Sequence, residues 1–142
     1  MESRRPHLEF RNLNDNDWPY VKKYLHLKWV EDTCGIVGVC SGKVLGIAVY
    51  DNWSDTGVHM HHLLVEPWIC TMGWLEEIFR FPFSYPHIKN IWGFVPSDNV
   101  KALRANEYVG FEEVSQINEY WYPDKDNIVM QMTRETCQYL GD

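Results

Sequence analysis

Several features that would point directly to a function are missing from this chain of 142 residues. No apolar run reaches the ~20 residues needed to cross a bilayer. The first residues, Met1-Glu2-Ser3-Arg4-Arg5-Pro6-His7, lack the apolar core of a signal peptide. Neither a membrane anchor nor export is expected. The four cysteines, Cys34, Cys40, Cys70 and Cys137, show no C-x-x-C spacing and no framework. This argues against a disulfide scaffold and favours a reducing cytoplasm. Positive charge is scarce: 13 Lys and Arg face 20 Asp and Glu, for a net charge of −7. Non-specific nucleic-acid binding needs a basic footprint, so nucleic acid is not an expected partner, although a small local basic patch is compatible with these numbers. There is no internal repeat, low-complexity tract or linker. What is present is one domain, expected over residues 1–142, large enough for a single sheet covered by helices. Apolar residues at 45% and seven tryptophans argue for a dense core rather than disorder.

Periodicity sets the order of elements. His7 to Asn12 alternates and reads as a strand. Asn14 or Asp15 can cap a helix running to about Lys28, with Trp18, Val21, Tyr24, Leu25 and Trp29 at helical spacing. Cys34–Cys40 and Lys43–Tyr50 form a hairpin around Ser41-Gly42. Strict alternation puts Val44, Gly46, Ala48 and Tyr50 on one face, opposite Leu45, Ile47 and Val49. Val58–Val65 is a fourth strand, Thr71–Phe83 a helix, and Ile88–Val95 a fifth strand. Val95 to Phe111, V-P-S-D-N-V-K-A-L-R-A-N-E-Y-V-G-F, is the most informative stretch. It reads as a strand end, a helix capped by Ser97 or Asp98, and a left-handed turn at Gly110 back into the core. Glu112–Tyr122 and Asn127–Thr133 are the last two strands, around Pro123-Asp124-Lys125-Asp126.

The order β-α-β-β-β-α-β-α-β-β and the Val95–Phe111 block resemble the GNAT superfamily, the acetyl-CoA-dependent N-acyltransferases. That family's last block typically reads N-x-x-A-x-x-x-Y-x-x-x-G-F. Asn99, Ala102, Gly110 and Phe111 match it, and Asn106 stands at the tyrosine position. The resemblance covers nearly the whole chain, with the family's two N-terminal helices shortened toward one. It implies an α/β fold with a mixed central sheet, splayed between the fourth and fifth strands and flanked by helices. In the family that splay admits the pantetheine arm of the cofactor, whose amides continue the strand pairing. The pyrophosphate lies on a helix N-terminus, where backbone N–H groups and the helix dipole favour an anion. The corresponding string here is V-E-P-W-I-C-T-M-G-W-L from Val65. Val65, Pro67 and Gly73 match; Cys70 replaces a basic or amide residue and Leu75 a second glycine. The resemblance therefore implies acetyl-CoA held by Leu64, Val65, Cys70, Thr71, Met72, Gly73 and Trp74, with Asn99 and Ala102 from the next helix. The segment W-L-E-E-I-F-R-F-P-F-S-Y from Trp74 is similar to bacteriophage and prophage GNAT-like proteins. That narrower resemblance implies a location in the host cytoplasm or a virion, with a phage or host protein as partner.

The candidate chemistry lies in His59, His61 and His62. Period two puts His59 and His61 on one strand face and His62 on the other. A neutral histidine near pH 7 can accept the proton of an attacking amine, and the resemblance gives that role to His61 or His59. A His-x-His pair can also hold a metal with a third ligand such as Asp51 or Asp55, but no fixed spacing supplies one, so no metal is expected. The same histidines could equally be satisfied by backbone at the edge of the core. Asn106 has no labile proton for a departing thiolate. Tyr108 lies about 200° further around the helix, which leaves Tyr120 and Tyr122 as distant alternatives. Trp53 and Trp68 sit in or beside loops that flank the expected substrate side. The acidic balance suits a cationic acceptor, a small-molecule amine or a protein lysine. Three functions are compatible with these residues. The first is an amine N-acetyltransferase, the second a catalytically inactive GNAT-fold interaction module, and the third a DNA-base-modifying acyltransferase, against which the charge counts. A homodimer is compatible with each.

Overall fold

The computed structural model describes residues 7–118 and 124–141. The chain runs β1 (Glu9–Asn12), α1 (Trp18–Leu25), β2 (Cys34–Cys40), β3 (Lys43–Asp51), β4 (Gly57–Leu64), a 3-10 turn (Pro67–Met72) and α2 (Trp74–Phe83). It continues with β5 (Asn90–Pro96), α3 (Val100–Val109), β6 (Glu112–Ile117) and β7 (Asn127–Thr133). The strands form one sheet in the order β1-β2-β3-β4-β5-β7-β6. Among the described residues only β4 and β5 pair in parallel. The connection between them carries the 3-10 turn and α2, the long crossover that a parallel pair requires. Tyr120, Trp121, Tyr122 and Pro123 lie outside the described residues.

The parallel pairing is short. Gly57, Val58 and His59 meet Asn90, Ile91 and Trp92, and no later pair forms. From Met60 and Gly93 onward the strands diverge, while β4 stays paired with β3 to Leu64 and β5 with β7 to Pro96. The sheet is thus forked between its fourth and fifth strands, as the resemblance implies.

The β2–β3 hairpin turns at Ser41 and Gly42, with φ of 51° and 78°, the two positive values of a type I′ turn. Just after it the alternation slips. Gly38 pairs with Gly46 and Val39 with Val44, which leaves Leu45 as an extra residue. Leu45 therefore joins Ala48 and Tyr50 in the larger core, and Val44 packs with Ile47 and Val49 on the other face. This reverses the faces expected for both residues. The bulge has a second use: the Leu45 carbonyl accepts from Val65 N at 2.9 Å and Glu66 N at 3.1 Å, which fastens the exit of β4.

Two apolar clusters flank the sheet. Val21, Leu27, Val37, Ile47 and Val49 lie on the face that α1 covers. The larger cluster holds Trp74, Ile78, Phe79, Ile91, Met130 and Met132, on the face covered by α2 and α3. Both N-terminal boundaries differ from expectation. Neither Asn14 nor Asp15 caps α1: Asp17 holds the N-cap position, and no side chain caps the helix, the Asp17 carboxylate being held by Arg11 at 2.7 and 2.8 Å. The helix ends at His26, which takes φ of 55°, instead of reaching Lys28. The cap of α3 is Asn99, whose Oδ1 accepts from Ala102 N at 3.1 Å, rather than Ser97 or Asp98.

Trp74 is fully buried and lies against the glycines of the hairpin. A Cβ on Gly46 would come within 2.8 Å of Ile69 Cδ1 and 2.9 Å of Trp74 Cζ2, and one on Gly38 within 3.0 Å of the Trp74 ring. Phe10 stacks on the indole at 6.2 Å between centroids, and the indole N–H is held by His62, which restrains the ring. Gly46→Val is expected to lower stability by about 1–3 kcal/mol, the usual cost of overpacking, measured by urea unfolding; an unchanged midpoint would show that the indole has room to move.

Candidate functional site

The site is built by strand register. In the β3–β4 pair, Asp51 stands opposite His59 and Val49 opposite His61. Asp51, His59 and His61 therefore emerge on one face. The two imidazoles lie 3.9 Å apart between centroids. His61 Nε2 is 3.1 and 3.2 Å from the Asp51 carboxylate oxygens. His59 Nδ1 is 3.4 Å from Asp51 Oδ1. The Asn52 amide donates to that same oxygen at 3.2 Å. His59 and Asp51 are buried, and His61 is half-buried. Phe94 meets His59 edge-on at 4.5 Å.

His59 is the last residue of β4 before the fork, so the cluster sits at the vertex. A cleft of about 250 Å³ opens beside it, lined by Asn52, Ser54, Gly57, His59, Trp92 and Phe94. Trp92 and Phe94 belong to the fifth strand, and nothing in their spacing marks them as cleft residues. Trp92 is paired directly with His59, so period two places both aromatics at this cleft. A larger hollow of about 520 Å³ lies between β1, β2 and α2, lined in part by Phe10, Trp29, Glu77 and Phe81. It shares no lining residue with the histidine cleft.

Burial pulls the pKa of His59 down to about 3; the neighbouring His61 adds to the fall and Asp51 opposes it. His62 points to the opposite face, as period two requires. Its Nε2 accepts from Trp74 Nε1 at 2.9 Å, and burial lowers its pKa to about 4. His62 is thus an acceptor that holds Trp74 in place, and it lies away from the Asp51 cluster.

The residues expected to hold a cofactor are strung along the far side of the fork. Leu64 and Val65 end the diverging edge of β4. Cys70, Thr71 and Met72 belong to the 3-10 turn, so the helix starts at Trp74 and not at Thr71. Thr71 caps nothing; its hydroxyl donates to the Trp68 carbonyl at 2.8 Å. Gly73 takes φ of 89°, a conformation that favours glycine, and its N–H is already given to Ile69 O. Trp74 offers only backbone there, because its ring is enclosed. Leu75 is buried in the core and does not block the helix end. No side chain caps α2, and its first turn carries Glu76 and Glu77. Burial, with Glu76 adding, raises the Cys70 thiol, opposite to what a nucleophile needs. Across the fork, Ala102 packs half-buried against the core and Asn99 is occupied as the α3 cap. Asn106 faces the sheet, with Nδ2 3.7 Å from Met130 Sδ, whereas Tyr108 is 88% exposed. Trp53 belongs to the other face, packed on Tyr50, Phe81 and Tyr85, and not beside the histidine cleft.

This forked sheet, with one helix crossing between its parted strands, defines the GNAT fold, and the chain has it. Solved structures with the same arrangement include the spermidine/spermine N-acetyltransferase SpeG from Vibrio cholerae in complex with manganese ions. It is 13% identical, with a TM-score of 0.72 over 89% of this chain and 92% of that one. The spermidine N-acetyltransferase from Vibrio cholerae in complex with CoA and spermine is 15% identical, with a TM-score of 0.67 over 95% and 99%. The aminoglycoside acetyltransferase AAC(6')-Ib in complex with coenzyme A and kanamycin is 17% identical, with a TM-score of 0.64 over 91% and 96%. No protein-family model matches the chain, and no curated protein matches its sequence.

His59 and His62 both have pKa values below the ordinary 6.5 in the folded chain. The unfolded chain therefore binds more protons between about pH 6.5 and the folded values, and stability is lost as the pH is lowered through that window. Urea midpoints should be flat above about pH 7 and drop steadily toward pH 4, with a shallower drop in His62→Gln. A midpoint independent of pH over that range would contradict the neutral state of these buried rings.

Proposed function

We propose that this chain is an acetyl-CoA-dependent N-acetyltransferase acting on a small cationic amine. The observation that carries this reading is the Asp51–His61 pair at the vertex of the fork. The diverging ladders past His59 leave backbone groups of β4 and β5 without strand partners, as an extended amide-bearing arm requires. Gly93 adds room: a Cβ there would meet only Met60 O, at 3.9 Å. Bound acetyl-CoA would supply an activated acetyl thioester. Leu64, Val65 and the amides at the start of α2 would hold it from one side of the fork, and Ala102 and Asn99 from the other.

The chain's own residues then handle the amine. The cleft lined by Trp92, Phe94 and Asn52 receives it, and the aromatic faces suit an ammonium group. Asp51 accepts the Nε2 proton of His61, which leaves the lone pair of the neutral ring on Nδ1 to take the amine's proton. His59, held neutral by burial, keeps positive charge away from that lone pair. Polyamines and aminoglycosides, the classes named for the structural neighbours, are both polycationic, and the net charge of −7 suits such an acceptor. A protein lysine is a further acceptor of the same chemistry.

A second reading has one feature in its favour. The α2 terminus, where an anion should rest, has spent the Gly73 N–H internally and presents Glu76 and Glu77. A GNAT fold retained as an interaction module, as in a phage or host-directed protein, would carry such a terminus. Calorimetry with acetyl-CoA separates the two. Saturable binding, lost in Gly73→Glu, is expected for the enzyme; absence of binding at millimolar cofactor would leave the interaction module.

His61→Ala should lower kcat toward polyamine or aminoglycoside acceptors by about a hundredfold or more and leave acetyl-CoA binding intact. Unchanged turnover would remove His61 from the chemistry. Because Asn106 stands where the family has tyrosine, Asn106→Tyr should raise kcat. A faster variant would place the missing proton donor at that position; an equal one would place the donor elsewhere.

A further inference from the structure

We propose that Asp51, His59 and His61 form a binding site for a zinc-class divalent metal ion. One ligand atom from each residue lies within 4.8 Å of the other two. With metal–ligand bonds of about 2.0–2.1 Å, the ligands of a tetrahedral zinc ion stand roughly 3.3 Å from one another. Two of the three edges already have that length: His61 Nε2 to Asp51 Oδ1 is 3.1 Å, and His59 Nδ1 to the same oxygen is 3.4 Å. The His59–His61 edge is within 4.8 Å, on rings whose centroids are 3.9 Å apart at adjacent same-face positions of β4. Strand pairing fixes the backbone beneath all three residues.

The donor set selects the metal. Two imidazoles and one carboxylate suit zinc, cobalt(II) and nickel(II), and an all-oxygen ion such as calcium or magnesium poorly. The surroundings also resemble those of a metal centre. The Asn52 amide holds the carboxylate from behind at 3.2 Å, an outer contact that orients a ligand. Phe94 covers His59 on one side, and the cleft reaches the cluster at His59, so an ion has a route in and a fourth coordination position has space. The carboxylate offsets much of the ion's charge, which a pair of histidines alone would not.

The site stands on these three residues whether or not the chain transfers acetyl groups. If it does, a consequence follows that rests on the proposed function. An ion on His61 Nε2 leaves the proton of the neutral ring on Nδ1, so no lone pair remains for the amine's proton; zinc therefore inhibits transfer and a chelator restores it.

The test uses the full chain, freed of metal with a chelator and titrated with cobalt(II) while its visible absorption is followed. Expected are one ion per chain, ligand-field bands of imidazole and carboxylate coordination, and displacement by zinc. Asp51→Asn and His59→Ala should each weaken binding by at least about tenfold, the effect even an outer-shell partner commonly has. The exposed His87→Ala should bind as the parent does. Intense near-ultraviolet thiolate bands would assign the ion to the free cysteines and overturn the proposal, and so would equal affinity of His87→Ala and His59→Ala losses. The wild-type spectrum reads the ligand type directly, so the result stands even if a variant does not fold. Acetyl transfer without cobalt binding would overturn the metal site and leave the enzyme; cobalt binding without acetyl transfer would do the reverse.

Discussion

The structure depends on one interrupted interaction, the parallel pairing of β4 and β5. Three residue pairs hold the two halves of the sheet together, and then the ladder stops. A parallel ladder that ran to the ends of both strands would leave no opening, and His59 would be one more buried strand residue. Each strand instead remains fully paired on its other side. Among the described residues the β4–β5 ladder ends at His59 and Trp92, and strand edges that part inside a sheet favour an extended ligand that continues the pairing.

The fork is held open from the α2 face. Leu45, the bulged residue, ties down the exit of β4 with two hydrogen bonds. The chain then passes through the Pro67–Met72 turn and delivers Trp74 onto Gly38 and Gly46. The indole N–H ends on His62, so a histidine of β4 receives the first residue of the crossover helix. Packing and hydrogen bonding thus converge on one residue. This explains why the strand after the hairpin needs glycines, and why His62 is neutral where an exposed histidine would titrate near 6.5.

On the opposite face the same strand serves chemistry. Asp51, His59 and His61 lie on the face that carries the smaller core cluster, His61 opposite Val49, with His59 next to the aromatics Trp92 and Phe94. One carboxylate between two imidazoles can orient a base or share an ion, and which of these it does depends on the metal available as much as on the fold. Within the described residues no helix is long and apolar enough to cross a membrane.

Much of this was legible in the residues themselves. The order of strands and helices, the Ser41-Gly42 turn, the opposite faces of His59 and His62, and the outward direction of Tyr108 all follow from local periodicity and turn chemistry. Periodicity describes one segment at a time, so it could not show the Leu45 slip, which exists only in the pairing of two strands. Nor could it show that Asp17 belongs to Arg11, that Asn99 is the cap, or that Trp53 lies on the α2 face. Asp51 is the clearest case. Seven residues lie between it and His59 in the chain, and no motif links them. The register of the β3–β4 pair alone sets the carboxylate between the two rings. The sequence by itself determined the order of the elements and, away from the Leu45 bulge, the faces of their residues, because those are fixed by spacing along one strand or helix. Tertiary structure decided the site, because its distances run across strands, where register and the point at which β4 parts from β5 set every contact.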